Sequence, residues 1–281
     1  MRLKRGDLVT RDSHNGDVLF RVERIWGDMA LLSGVHHRLL ADAPIDDLQP
    51  VAEESSRSFE KDFHRVAARC LEQRRELRRD IKDPSQAVRS RMPVSGRILH
   101  LDGDREYLEK CMAHYKDAGV RAIGFYSPES QQSLRVRTLI ATYRPDVLVL
   151  TGHDGLKKNS DPHDITSYYN SDKFVEAVRS ARKEVPSKDE LVIVAGACQS
   201  YFETLVDEGA NFASSPGRVL IHLYDPAVAA KVVSTTHIDT TVRVEQVISA
   251  SVTGSDGMGG VDTRGTFRYG APDLPGLKWQ N

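Results

Sequence analysis

An α/β fold, a mostly parallel sheet with flanking helices, is what this 281-residue sequence predicts. Three observations carry the prediction. From residue 96 onward, short and almost wholly apolar runs alternate with stretches of helical spacing, a pattern that implies parallel strands covered by helices on both faces. The first fifty or so residues read instead as short strands joined by tight turns. Between the two lies a strongly charged stretch with helical periodicity. The chain therefore divides into a small β unit (1–52), a charged helix and linker (53–92) and an α/β domain (93–281).

In the β unit, Leu8 and Val9 lead into a turn at 13–17 in which Asn15-Gly16 is the hairpin signal. Residues 18–25 are β-compatible, Gly27-Asp28 turns again, and 29–34 with Leu39-Leu40 continue the pattern. Short strands at this density predict a small SH3-like barrel. In 53–83, Phe59, Phe63, Val66, Cys70 and Leu77 recur along one apolar helix stripe. The basic residues around them, such as Arg74, Arg75 and Arg78, are interleaved with Glu72 and Glu76 and read as a solvated face. Pro84 and Pro93 bracket a linker that holds Arg89 and Arg91. In the α/β domain, strands are expected at 97–101, 120–126, 146–151, 190–195 and 219–223. Helices are expected at 104–118, 129–143, 171–184 and 199–208, with Gly119 stopping the first.

Composition excludes several function classes. Lys and Arg number 39 against 40 Asp and Glu, a net charge of −1, which argues against a global pull on nucleic acid. No apolar run reaches the roughly 18 residues of a membrane span, and 1–16 lacks the apolar core of a signal peptide. Three widely spaced cysteines, Cys70, Cys111 and Cys198, are too few for a disulfide framework and suit a reducing compartment. His163 between Asp161 and Asp164 has no second histidine one helical turn away, so it reads as loop. The glycine-rich run 254–260 lacks the Lys-Ser/Thr ending of a nucleotide loop, leaving a substrate loop or a plain turn. No metal or cofactor is implied.

Chemistry concentrates at two strand ends. One apolar strand runs into Gly152-His153-Asp154-Gly155, the next into Gly196-Ala197-Cys198-Gln199. Ligands of open parallel sheets bind beyond the carboxyl ends of the strands, and consecutive strands are usually neighbours. A buried cysteine or a strand-end histidine alone reads as packing. Their shared placement among glycines points to a nucleophile and its base. Cys198 would attack a carbonyl, His153 would move the proton, and the backbone N–H groups of Gly155 and Cys198 would bind the oxyanion. A helix expected to begin at Cys198 would favour the thiolate.

The strand-His and strand-Ala-Cys order resembles the caspase–clostripain–gingipain group of cysteine peptidases, and so implies a caspase-like sheet. A second resemblance covers nearly the whole chain. Lys4-Arg5-Gly6-Asp7-Leu8-Val9, Leu101-Asp102-Gly103-Asp104, the stretch from Pro145 to Gly155, Asn159-Ser160, Tyr168-Tyr169-Asn170-Ser171, the stretch from Ala195 to Gln199, Ala213-Ser214-Ser215-Pro216 and Ile221-His222 carry it. The chain is similar to the YabG-type sporulation-specific proteases of endospore-forming bacteria. That resemblance implies a cysteine endopeptidase with His153 and Cys198 as its catalytic pair. It further implies processing of spore-coat and related proteins, cleavage after Arg or Lys, and a place in the cytoplasm of the sporulating cell at the developing coat.

Cleavage after Arg calls for an acid in the specificity pocket. Clostripain-like enzymes have one just before the cysteine, where this chain has Gly196-Ala197. Asp154, Asp161 and Asp164 after His153, and Asp102 and Asp104 at the end of the first strand, remain open candidates. Each taken singly reads more as a solvated loop acid or helix cap than as the pocket acid. An amidase acting on a small amide, and a non-catalytic coat-binding scaffold, are the alternatives to the endopeptidase. The β unit is expected to dock substrate, and self-cleavage is expected near Arg89 or Arg91, in the exposed linker.

Overall fold

The computed structural model describes residues 3–52 and 92–270. The charged helix expected over 53–83, Cys70, and Arg89 and Arg91 of the linker lie outside the described residues.

The N-terminal unit is a five-stranded antiparallel sheet: β1 (Leu8–Arg11), β2 (Phe20–Trp26), β3 (Met29–Gly34), β4 (Leu40–Pro44) and β5 (Leu48–Pro50), in the order β4-β3-β2-β1-β5. Asn15 and Gly16 adopt positive φ in the first turn, as the sequence signal requires. Val9, Phe20, Val22, Ala30, Leu32, Ala43 and Leu48 point inward and make the unit's own core. The second half of β4 and all of β5 escape the sequence pattern, because Asp42, Pro44 and Pro50 interrupt any apolar alternation.

The larger sheet has six strands: β7 (Ile98–Asp102), β8 (Ala122–Tyr126), β9 (Val147–Thr151), β10 (Val192–Ala195), β11 (Phe212–Ser214) and β13 (Met258–Gly260). Their order is β13-β11-β10-β9-β7-β8, all parallel except the edge strand β13. Two small antiparallel pairs complete the described chain: β6 (Met92–Val94) with β15 (Arg268–Gly270), and β12 (Thr241–Val242) with β14 (Thr263–Arg264).

Among the described residues, six helices cover the large sheet: α1 (Arg105–Asp117), α2 (Glu129–Tyr143), α3 (Ser171–Glu184), α4 (Phe202–Asp207), α5 (Asp225–Thr235) and α6 (Val244–Ala250). The Asp104 carboxylate accepts the N–H of Tyr107 at 3.0 Å and caps the start of α1. Because side chains alternate along a strand, Ile98, Val147, Val149, Val192 and Val194 face α1, α5 and α6. Leu99, Leu101, Leu148, Leu150 and Ile193 face α2, α3 and α4. Each such fully buried aliphatic side chain contributes about 1.5–3 kcal/mol.

Residues 219–223 do not form the expected last strand. That place is taken by β11, beside β10, while 219–223 is irregular apart from a single antiparallel bridge between His222 and His37. Positive φ at Ser215 and Arg218 turns the chain out of the sheet around Pro216-Gly217, and the backbone groups of Ile221 and Leu223 go to other partners. The glycine-rich run 254–260 is likewise settled: a 3-10 turn at Gly254–Asp256 followed by β13.

The strand order fixes where a ligand belongs. From β7 the chain first moves to β8, then returns to the other side of β7 for β9. Helices leave in opposite directions at that reversal and open a crevice beyond the carboxyl ends of β7 and β9. Those ends carry Asp102 and Thr151-Gly152-His153.

Phe174 on α3 is fully buried against the second core face. Phe174→Ala should lower unfolding stability by about 3–5 kcal/mol in denaturant titration. A loss under about 1 kcal/mol would show that this helix does not hold the sheet.

Candidate active site

His153 and Cys198 meet the sequence expectation at the level of the backbone. β9 and β10 are adjacent and parallel, with Ala195 opposite Leu150, so both residues leave the sheet at the same edge. Gly196 makes the turn with φ +104°, a conformation that side chains other than glycine's rarely adopt. The His153 N–H donates to the Glu129 carboxylate at 2.8 Å, and its C=O accepts from the Asn170 side chain at 2.9 Å.

The two side chains are not hydrogen-bonded to each other in this arrangement. His153 Nε2 lies 3.4 Å from Gly34 O and 3.8 Å from the Asp104 carboxylate, with the Tyr107 ring 5.2 Å away. Cys198 Sγ accepts the N–H of Ile221 at 3.3 Å. The expected helix does not begin at Cys198. Gln199 takes φ +54° and α4 starts at Phe202, so no helix dipole acts on the sulfur. Burial pushes the thiol up to about 12, against the opposing Ile221 N–H and Arg38 charge, and the resting group is a neutral thiol.

A segment to which the sequence assigns no part in the site lies against Cys198 here. The β3–β4 loop leaves the small β unit and lies across the edge of the large sheet. His37 bridges His222 on one side, and Leu39 bridges Asp154 on the other. Leu40 N–H donates to Asp154 O at 2.8 Å, and Gly155 has no Cβ to collide with Leu40 O. Arg38 O accepts two N–H groups, from Asp154 at 3.1 Å and from Cys198 at 3.2 Å.

The Arg38 side chain fills the crevice between β7 and β9 and is wholly buried. Nη1 and Nη2 donate to the two oxygens of Asp102 at 3.1 and 2.9 Å. Further bonds reach Gly152 O at 3.3 Å and Leu223 O at 3.2 Å, and the guanidinium stands 4.9 Å from the Tyr107 ring centre. Tyr107 in turn reaches Gly34 O at 2.5 Å. Burial alone would raise the Asp102 carboxyl, but the Arg38 guanidinium and His100 hold it well below the usual carboxylate range.

The sequence candidates separate cleanly. The Asp154 carboxylate points away from the crevice and accepts from Gly155 N–H, Asn170 N–H, Ser171 Oγ and Ser200 Oγ. The Gly155 N–H is thereby spent on Asp154 at 2.8 Å, and the N–H one residue earlier faces Arg38 O instead. Asp161 accepts its neighbour His163 N–H and Asp164 caps a 3-10 turn, both on exposed loop. Asp104 caps α1 beside His153, and Asp102 alone sits inside the crevice. Arg38, Tyr107 and Leu223 carry no local sequence signal for this role.

His100, Asp102 and Cys111 place ligand atoms within 4.8 Å of one another, a grouping able to hold a metal ion. The Arg38 guanidinium supplies the cation there, 2.9 Å from Asp102 and 3.7 Å from Cys111 Sγ. A separate cleft of about 960 Å³ runs along the edge strand β8, lined by Met112, Ile123 and Tyr143 among others, and shares no residue with this site.

The family model described as YabG peptidase U57 matches residues 4–272. This chain belongs to the YabG peptidase family. It is 39% identical over 288 residues to the sporulation-specific protease YabG of Bacillus subtilis (strain 168), covering 97% of this chain and 99% of that protein. The YabG match therefore spans both the β unit and the α/β domain, and makes the chain a sporulation-associated peptidase acting on protein substrates. Among the described residues no helix is long and apolar enough to cross a membrane.

Burial pushes the Asp154 carboxyl up to about 6, although four donors oppose it. Between about pH 4 and pH 6 the folded state then holds more proton at Asp154 than the unfolded chain does, so stability falls as pH rises through that window. Denaturation free energies measured from about pH 4 to pH 7 should show wild type losing about 3 kcal/mol relative to Asp154→Asn. Parallel pH profiles for the two proteins would place the titrating group elsewhere.

Proposed function

We propose that this protein is a cysteine endopeptidase of sporulation that processes spore-coat and related proteins by cleaving after Arg or Lys. One observation carries the reading: a backbone carbonyl oxygen rests between the N–H groups of Asp154 and Cys198, next to the only described cysteine at the sheet's carboxyl edge. Two converging N–H donors are what a tetrahedral oxyanion needs.

In the proposed reaction the substrate carbonyl takes the place of Arg38 O. Cys198 Sγ attacks the carbonyl carbon, and His153 accepts the thiol proton. Asp104, 3.8 Å from His153 Nε2, would stabilise the imidazolium that forms. The N–H groups of Asp154 and Cys198 stabilise the oxyanion. The amide C–N bond then breaks, His153 protonates the leaving amine, and water hydrolyses the thioester. Asp154, through Ser200 and Ser171, ties the His153 loop to the Cys198 loop and is a positioning residue.

The caspase-like character of the sheet, the division at 52 and 93, and self-cleavage near Arg89 or Arg91 belong to the same proposal.

A matched peptide pair with Arg or Ala before the scissile bond tests it. Wild type should prefer the Arg peptide. Cys198→Ala should lose cleavage altogether, and His153→Ala should retain the fold and lose about a hundredfold to ten-thousandfold in rate. Undiminished cleavage by Cys198→Ala would remove the thiol from the mechanism.

A further inference from the structure

We propose that Asp102, the carbonyls of Gly152 and Leu223 and the Tyr107 ring form an arginine-side-chain site that Arg38 of the same chain fills as an internal stand-in for substrate. The proposal rests on the reading of Cys198 and His153 as the catalytic pair and adds what occupies their site at rest.

Four features of the resident segment are those of a bound peptide. Its backbone lies extended between two walls of the site, bridged to His222 on one side and to Asp154 on the other. Its Arg38 carbonyl takes the N–H of the candidate nucleophile. Its Arg38 side chain descends into the crevice where the strand order reverses, the ordinary ligand position of such sheets. There the guanidinium meets a bidentate carboxylate, two carbonyl oxygens and an aromatic face. An ion pair serving the fold alone would need the Arg38 guanidinium but not its backbone carbonyl on Cys198. The same geometry selects arginine over lysine, because only a planar fork satisfies both Asp102 oxygens and the flanking carbonyls together.

The resident segment is held unproductively. Cys198 Sγ is bonded to Ile221 rather than to His153, and Nε2 of His153 faces Gly34 O, a group of the segment itself. Substrate therefore enters only when 34–40 leaves, and Asp102 then receives the arginine that precedes the scissile bond. The small β unit thus supplies a plug, beyond the substrate docking expected of it from sequence.

The test reads alkylation of Cys198 by iodoacetamide in the full chain, followed by peptide mass mapping, with agmatine as the guanidinium probe. Arg38→Ala should be alkylated at Cys198 about tenfold to a hundredfold faster than wild type, the weight of a charge-assisted bidentate contact. Agmatine should slow that alkylation in Arg38→Ala and leave wild type unaffected. Removing Arg38 alone strands the Asp102 charge, so Arg38→Ala/Asp102→Ala provides a second variant without a buried unpaired ion. Its Cys198 should also be alkylated faster, with no effect of agmatine. An unchanged alkylation rate in whichever variant is folded, or no protection of Arg38→Ala by agmatine, would overturn the proposal. Those outcomes are separate from failure of the catalytic reading, which shows as cleavage that survives Cys198→Ala.

Discussion

The bond between Arg38 and Asp102 is the constraint around which the described structure is arranged. Neither side chain meets solvent. Two ions are costly to desolvate, and only full pairing in good geometry repays that cost. Here the pairing is bidentate, and the remaining guanidinium hydrogens find Gly152 O and Leu223 O. One side chain thereby joins the small β unit to the ends of β7 and β9 and to the irregular segment before α5. Losing either partner of such a pair costs about 3–5 kcal/mol, because the other charge is left buried and uncompensated.

The chemistry of the edge follows from that fastening. With 34–40 in place Cys198 is dry, its thiol is neutral, and its N–H is already paired with Arg38 O. A thiolate needs a nearby cation or a base in contact, and the His153 Nε2 is here turned to Gly34 O and Asp104. The neighbourhood is nonetheless assembled. Asp154 binds Ser171 and Ser200, Glu129 binds the His153 N–H, and both loops are thereby set at fixed heights above the sheet.

Much of this was legible in the residues, and the gaps have physical causes. The helices 129–143 and 171–184 and the strands ending at Thr151 and Ala195 follow from periodicity, because burial on one or both faces writes itself directly into local apolar spacing. Placing His153 and Cys198 at one edge required only that β9 and β10 be neighbours. Residues 219–223 misled because Val-Leu-Ile-His-Leu has strand composition, yet Ser215 and Arg218 turn it away and its backbone serves Cys198 and Arg38. Gly155 is an expected oxyanion donor whose N–H goes to the Asp154 side chain, a local contact that nothing in the residue types announces. Arg38 was invisible for a deeper reason. It lies 64 residues from Asp102, and its neighbours His36, His37 and Leu39 form no motif that points to a carboxylate partner. A lone arginine becomes chemically meaningful only when tertiary contact brings a carboxylate to it.

The most direct measurement is the structure of the full chain with a peptide aldehyde ending in arginine. The account predicts a covalent bond from Cys198 Sγ to the aldehyde carbon, its oxygen between the N–H groups of Asp154 and Cys198. The inhibitor's guanidinium would lie on Asp102, with Arg38 and its loop displaced from the crevice. An aldehyde bound to Cys198 while Arg38 still holds Asp102, or one that leaves Cys198 unmodified, would contradict it.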